Sequence, residues 1–234
     1  MLKTLTVLAA GLFAVPAAAQ TATAPTAVGP SDDDSANGTT VSAAITAGTL
    51  GIGPELGWRL SDHVGIRGGA SFLNVSTSFD SDDVSYDGKV KLKSFGAMGD
   101  VYPFGGNFRV SAGARINRNN VGVSATPTSD VTLNDRDYTA AQVGTLSGTA
   151  RPNRFSPALT TGWSGKNRKG FMFAFETGVL FQGAFKLDTF QATGTARNNA
   201  TFRSDLEVER RSLQRDIDKV KIYPIIQFAI GYRF

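Results

Sequence analysis

The chain has 234 residues, a formal net charge of +4 and no cysteine. This length is sufficient for one sizeable domain, and the small, dispersed positive charge is a poor signal for nucleic-acid binding. Because cysteine is absent, disulfide bonds are excluded, and packing and backbone hydrogen bonds alone must hold the fold.

The first twenty residues have the layout of a secretory signal peptide. Lys3 precedes an apolar run from Leu5 to Val15, and the small residues Ala17 to Ala19 follow. The apolar run is too short for a stop-transfer helix. We therefore predict a signal peptide over residues 1–19, cleaved after Ala19, rather than a buried N-terminal helix. Its removal takes away Lys3 and no acid, so the formal charge falls from +4 to +3.

The segment after the signal peptide differs in composition from the rest of the chain. Residues 20–38 are rich in Ala, Thr, Pro and Asp and contain few large apolar side chains. Such a composition cannot bury enough apolar surface to order a chain, so we predict a flexible leader. Residues 39–234 then form a single domain.

Period-two alternation begins near residue 41 and recurs to the end of the chain. In TLGIGPELGWRL, Leu50, Ile52 and Trp58 share one face, opposite to glycines and charged residues. FRVSAGARIN (108–117) and GFMFAFETGVLFQ (170–182) alternate in the same way. Such strands lie between two environments, here lipid outside and a narrow lumen inside. The pattern predicts eight strands, over residues 41–47, 50–60, 64–77, 89–102, 107–118, 154–163, 170–186 and 221–234.

The connections between these strands alternate in length. Short turns occur at 60–64, 102–107 and 163–170, and long polar connections occur between them. The long connections are 74–88, 119–153 and 184–219. Short periplasmic turns and long external loops are typical of outer-membrane barrels. We therefore predict an all-β fold, an eight-stranded antiparallel transmembrane β-barrel with both termini in the periplasm. The alternative is a soluble β-sandwich, whose strands are usually shorter.

One helix is predicted in the last long connection. In RSDLEVERRSLQRDIDKV, Ser204 and Glu207 fit a capping box. Leu206, Leu213, Ile217 and Val220 recur at helical spacing. This pattern indicates a short amphipathic helix that either packs on the barrel mouth or lies on the surface without a role of its own.

The final strand, YPIIQFAIGYRF, places Phe228, Tyr232 and Phe234 on one face. This ending resembles the C-terminal signal by which the bacterial barrel-assembly machinery recognises outer-membrane proteins. Together with the signal peptide, it predicts export to the outer membrane of a Gram-negative bacterium.

Five segments together resemble one family of small barrels. They are IGPELGWRLSDHVGIRGG, YDGKVKLKSFGAMGDVYPFGGNFRVSAGARINRN, YTAAQVGTLSG, GFMFAFETGVLFQGAFKL and KIYPIIQFAIGYRF. They resemble the ornithine-uptake porins, also called carbapenem-associated outer-membrane proteins, over about residues 41–234. The resemblance implies an eight-stranded barrel and passage of small basic amino acids.

The strand over 89–102 contains an apparent change of phase. Val90 and Leu92 fit the lipid face at one end, and Phe95 fits it at the other. A β-bulge near residues 93–94 would reconcile the two halves and turn Asp100 inward.

The inward face carries the candidate functional residues. The remaining inward residues from the alternation are Glu55, Arg59, Arg67, Arg109, Arg115, Glu176, Gln182, Gln227 and Arg233. Charges in so narrow a lumen must be paired. The expected pairs are Glu55 and Glu176 with Arg67 and Arg115, and Asp100 with Arg59 or Arg109. Five arginines against three acids repel cations, which argues against uptake of basic amino acids.

Other chemistry is disfavoured. Seven acidic residues invite a calcium site, namely Asp32, Asp33, Asp34, Asp80, Asp82, Asp83 and Asp87, but they lack EF-hand spacing. The single histidine, His63, lies beside Asp62 in a predicted periplasmic turn, and no His/Ser/acid set can be assembled at the external rim. We expect no enzyme activity, no metal and no cofactor.

Two functions remain open at this stage. The first is a narrow channel for small polar solutes such as amino acids, with the lumen charges as its constriction. The second is a closed structural or surface-interaction barrel. The expected partners of this monomer are outer-membrane lipid, lipopolysaccharide and the barrel-assembly machinery.

Overall fold

The computed structural model describes residues 39–81, 84–165 and 169–234. The predicted signal peptide with its cleavage site after Ala19 lies outside the described residues. So do the predicted leader and five of the acidic residues considered for calcium, Asp32, Asp33, Asp34, Asp82 and Asp83.

The described chain contains fourteen strands, two α-helices and one 3₁₀ turn. In chain order they are β1 (Thr40–Gly48), β2 (Gly51–Arg59), β3 (Val64–Ser81), β4 (Val84–Val101), β5 (Phe108–Asn117), β6 (Asn120–Pro127), β7 (Val131–Leu133), β8 (Arg136–Tyr138), α1 (Ala140–Val143), β9 (Leu146–Arg151), β10 (Phe155–Ser164), β11 (Gly170–Phe181), β12 (Lys186–Leu187), β13 (Gln191–Ala192), the 3₁₀ turn Thr195–Asn198, α2 (Ala200–Ile217) and β14 (Ile222–Arg233).

Eight of these strands form a closed antiparallel ring, which confirms the predicted fold class. The order around the ring is β1, β2, β3, β4, β5, β10, β11 and β14. The ring closes where β14 pairs with β1, with Ala44 opposite Gly231. Closure gives every strand of the ring two hydrogen-bonded neighbours, so no edge of the ring remains open.

The outer face of the ring is an apolar belt. Phe171 is 85% exposed and Phe173 is 66% exposed. Aromatic side chains concentrate at the short-turn end, where Phe171 lies 5.7 Å from Tyr232 and Phe108 lies 6.0 Å from Trp163 between ring centroids. A continuous exposed apolar belt with an aromatic girdle is the outer surface of a transmembrane barrel.

The long connections form an ordered structure at the opposite end of the ring. Above the ring, β4 exchanges its partner β5 for β6, which pairs with β9, and β9 pairs with β12 and β13. We call residues 74–81, 84–91, 118–154 and 182–221 the cap. Strands β6 to β9, β12 and β13 lie in segments predicted as loops, because their side chains pack against the rest of the cap or face water and so lack the lipid-facing pattern.

The predicted bulge at residues 93–94 is wrong. The β3–β4 register runs without interruption from Val64 opposite Val101 to Ser81 opposite Val84. Val90 lies on the same face as Asp100 and packs in the cap against Phe185 and Ile217. Its apolar character reflects contact with the cap rather than contact with lipid.

The helix α2 begins earlier than the predicted capping box. Asn199 is the N-cap, and its side chain accepts hydrogen bonds from the backbone N–H groups of Thr201 and Phe202. The early start places Phe202, which is fully buried, beside Leu206 in a core with β7 and α1. Val220 lies beyond the helix end.

No helix among the described residues is both long enough and apolar enough to cross a membrane.

Candidate functional site in the barrel lumen

The middle of the lumen is occupied by charged side chains from five strands of the ring. Alternation turns them inward, and small residues on the facing strands leave them room. At Gly96, for example, a Cβ atom would lie 2.8 Å from Cγ of Arg115. A larger residue at this position would push the Arg115 side chain aside. The six central charged residues are Glu55, Arg67, Asp100, Arg109, Arg115 and Glu176.

Arg67 binds three carboxylates. Its Nη1 atom lies 3.0 Å from Oε2 of Glu55, and its Nε atom donates to Oδ1 of Asp100 at 2.9 Å. The same Nη1 atom pairs with Oε2 of Glu176. Arg67 is only 8% exposed, so these charges have little access to solvent. Charge-assisted hydrogen bonds of this kind compensate the cost of burying the guanidinium.

Two further arginines balance the three acids. Nη2 of Arg109 lies 2.8 Å from Oε2 of Glu176, so this carboxylate joins two guanidinium groups. Arg115 donates to the hydroxyls of Ser94 and Ser71 at 2.9–3.1 Å instead of to an acid. The central layer therefore contains three positive and three negative formal charges.

The partners differ from the predicted pairs at Arg115 and Asp100. Asp100 pairs with Arg67 rather than with Arg59 or Arg109. Alternation predicts the face on which a side chain lies, but the level along the barrel axis depends on how the strands are staggered. The sequence alone therefore does not determine which inward charges meet.

Arg59 lies at the short-turn end, away from the acids. Its guanidinium donates to the carbonyl oxygens of Ser61, Asp62, Gly105 and Gly106 at 2.6–3.2 Å. The group also lies 3.9 Å above the Tyr102 ring, a cation–π geometry. Arg59 thus ties the two neighbouring turns together and fills this end of the lumen. Arg233 is also buried, and it lies close enough to Arg59 and Tyr102 to interact with them electrostatically.

An apolar layer lies between the charges and the cap. We call the buried residues Leu50, Ala158, Leu180 and Ile225 the apolar plug. Leu50 was assigned to the lipid face, and that assignment is wrong because it is 6% exposed. Gly51 has a φ of 107°, so the chain turns there and carries Leu50 inward. The feature of the sequence that could have indicated the inward position of Leu50 is an apolar residue within a tight turn.

The space left between these side chains is small. One cavity of about 40 Å³ remains, bordered by Leu50 of the plug and by central charges that include Arg67, Arg115 and Glu176. A cavity of this size holds roughly one or two water molecules. In this conformation the ion pairs of Arg67 and the residues of the apolar plug occupy the centre of the lumen.

The lumen carboxylates of Glu55, Asp100 and Glu176 all pair with Arg67, so they point toward a guanidinium group rather than toward an empty space. Across residues 39–81, 84–165 and 169–234, no three His, Cys, Asp or Glu side chains are grouped closely enough to hold a metal ion. The charged side chains of the lumen can form hydrogen bonds and ion pairs with small polar groups.

A further buried carboxylate lies in the cap. Asp205 on α2 accepts hydrogen bonds from the Tyr138 hydroxyl at 2.6 Å, from Asn134 at 2.9 Å and from Arg136 at 3.1 Å. These donors, Tyr138 first, hold the pKa of the Asp205 carboxyl below its usual range. Asp205 thereby joins α2 to the β7–β8 hairpin, an interaction that sequence patterns did not predict.

Comparison with known proteins supports the architecture. No protein-family model and no curated protein sequence matches the chain. The crystal structure of CarO2 from Acinetobacter baumannii matches with 20% identity and a TM-score of 0.56, over 85% of this chain and 100% of that one. The structure of CarO from Acinetobacter baumannii matches with 21% identity and a TM-score of 0.51, over 83% of this chain and 97% of that one. The chain thus has the fold of the CarO-type outer-membrane barrels, as the sequence resemblance predicted.

Proposed function

We propose that the protein is an outer-membrane barrel whose lumen is closed at rest and which acts at the cell surface through its cap. The apolar belt, the signal-peptide layout and the CarO-type fold support this location. In that orientation the short turns face the periplasm and the cap faces outward.

The observation that carries the proposal is the filling of the lumen. Arg67 joins Glu55, Asp100 and Glu176 in the middle, and the apolar plug lies between this network and the cap. The cavity beside this network has a volume of about 40 Å³. A solute could cross only if the ion pairs separated and the plug moved.

A gated channel for small polar solutes is the second candidate. It is favoured by the charges that border the cavity, because an uncharged lumen would suffice for a purely structural barrel. Under this candidate Glu55, Arg67, Arg115 and Glu176 form the constriction. The arginine excess along the whole lumen then favours anionic or zwitterionic solutes such as glutamate over ornithine and arginine.

Conductance measurements separate the two candidates. We expect the purified wild-type protein to show no conductance in planar bilayers and no liposome swelling with ornithine, arginine or glutamate. We expect Glu176→Ala to introduce conductance because it removes a carboxylate that joins Arg67 to Arg109. Glu207→Ala in the cap is the matched control, since Glu207 pairs only with arginines of its own helix. Solute-selective flux through the wild type would contradict the closed barrel.

We also propose that the barrel-assembly machinery recognises the last strand. Phe228, Tyr232 and Phe234 project outward from β14, and Phe234 is 59% exposed. Their side chains are accessible along the seam where β14 meets β1. The protein is expected to be a monomer without enzymatic activity.

A further inference from the structure

We infer that the outward face of β4, just above the apolar belt, is a binding site for the phosphate groups of an anionic membrane lipid. The inference rests on the outer-membrane location proposed above. It assigns the site to Lys89, Lys91 and Lys93, with Arg118 beside them.

The three lysines form one stripe. They are exposed and occupy every second position of β4, so their side chains leave the same face of the sheet. At about 3.4 Å per residue, the stripe is about 14 Å long. Arg118, also exposed, lies across from Lys93 and donates its backbone N–H to the Lys93 carbonyl at 2.8 Å.

The stripe begins where the lipid-facing surface ends. Nζ of Lys93 lies 6.0 Å from the ring centroid of Phe72 and 5.8 Å from that of Phe95. Phe72 and Phe95 are exposed members of the apolar belt. A lipid whose acyl chains lie against these rings would therefore carry its headgroup to the level of Lys93 and Lys91.

The stripe is not neutralised by the surrounding protein. The residues paired with Lys89 and Lys91 are uncharged: Ser76, Asn74, Gly122 and Asn120. Among the described residues, none of the ion pairs includes Lys89, Lys91 or Lys93. The first acid on this face, Asp87, lies beyond the stripe and accepts the Ser78 hydroxyl at 2.6 Å.

The lysine stripe does not extend around the whole ring. At the same end of the barrel, the connection from Thr46 to Ile52 between β1 and β2 has no charged residue. A non-specific electrostatic attraction between the protein and an anionic membrane would not require the lysines to cluster on one strand. Lysine clusters beside a lipid surface bind anionic headgroups. Each lysine in such a cluster multiplies the binding affinity for the headgroup by a similar factor.

The test uses the full-length mature protein in detergent with diphosphoryl lipid A as the probe, and native mass spectrometry counts the bound lipid. We expect the triple variant Lys89→Gln, Lys91→Gln, Lys93→Gln to bind this probe roughly 10- to 100-fold more weakly than the wild type. The matched control changes three other exposed lysines, Lys169→Gln, Lys186→Gln and Lys221→Gln, and should retain wild-type affinity. Replacing the three stripe lysines by arginine should also retain the wild-type affinity for the probe.

Several results would overturn the inference. They are equal binding by the glutamine stripe variant, an equal loss in the matched control, and equal wild-type affinity for lipid A from which both phosphates have been removed. Displacement of the lipid by millimolar inorganic phosphate would identify free phosphate as the ligand instead. Because the assay is done in detergent, its failure leaves the outer-membrane location untouched, and cell fractionation tests that location separately.

Discussion

Arg67 illustrates how much of this molecule depends on one residue. Its guanidinium contacts carboxylates from β2, β4 and β11, so one side chain joins strands that are far apart in sequence. Removing one partner of a buried ion pair is costly because the other charges stay buried without compensation.

We predict that Arg67→Met destabilises the barrel by about 3–5 kcal/mol, because three carboxylates would be left with the single remaining paired guanidinium of Arg109. Urea unfolding of the refolded protein in detergent measures the loss. Arg115→Met is the matched control, since Arg115 donates only to neutral serine hydroxyls, and we expect a smaller loss of about 1–2 kcal/mol. Equal losses in the two variants would show that the carboxylate contacts of Arg67 add nothing.

At the scale of elements, α2 and the extended strands make the cap a folded unit. Phe202 and Leu206 pack on β7 and α1, while Ile217 packs on Val121 of β6 and on Phe185. Val90 belongs to the second of these clusters, and it lies on the face of β4 that continues the inner wall of the barrel. The helix therefore lies on the lumen side of the external sheet.

We predict that acid loosens α2 from the β7–β8 hairpin. The folded pKa of Asp205 is depressed, so its contribution to stability is complete above the unfolded pKa of about 3.9 and is lost as the pH falls through the folded value. Amide exchange in α2, corrected for the intrinsic effect of pH, should therefore be constant from pH 7 to pH 5 and accelerate below about pH 4.

Two variants test whether Asp205 itself causes the acid response of α2. Asp205→Asn should accelerate exchange in α2 at pH 7 and reduce the acid response, because the amide cannot accept from all three donors as a carboxylate does. Asp188→Asn should change neither, since Asp188 pairs with Arg151 at an exposed site. An unchanged acid response in Asp205→Asn would assign the effect to other carboxylates, including Glu207, whose pKa is about 2 because Arg210 donates to it.

At the scale of the whole molecule, assembly depends on the seam between the first and the last strand. The seam pairs Ser42 with Arg233, and the backbone N–H of Phe234 donates to the Val41 carbonyl at 2.9 Å. The aromatic side chain of Phe234 makes no contribution to this backbone pairing.

We therefore predict that Phe234→Ala lowers the amount of barrel assembled in the outer membrane several-fold while leaving refolding of the purified protein in detergent unchanged. Cell fractionation with heat-modifiable gel migration measures the first quantity, and far-ultraviolet circular dichroism measures the second. Phe104→Ala, which removes an even more exposed aromatic residue from a short turn, is the control. Equal assembly of both variants would exclude recognition of Phe234.

Single residues show where sequence reasoning reaches its limit in the site. Alternation indicates that Glu55, Arg67 and Glu176 share the inward face, and all three lie in the lumen. The pairing of Asp100 with Arg67 was not predicted, because residues 33 positions apart meet at a level set by strand stagger. Leu50 was missed for a related reason, since a turn interrupts the alternation on which the prediction depended.

The sequence by itself determined that this chain is a closed antiparallel barrel with short turns at one end. In each barrel strand, large apolar side chains alternate with small or charged ones, because one face lies against lipid and the other against the lumen. This pattern is present within the strand itself, so its recognition needs no tertiary information. Only the tertiary structure decided how the lumen is filled and that the long connections fold into a cap. Those features depend on contacts between distant segments, such as Asp205 with Tyr138 and Arg67 with Asp100, whose partners no local pattern specifies.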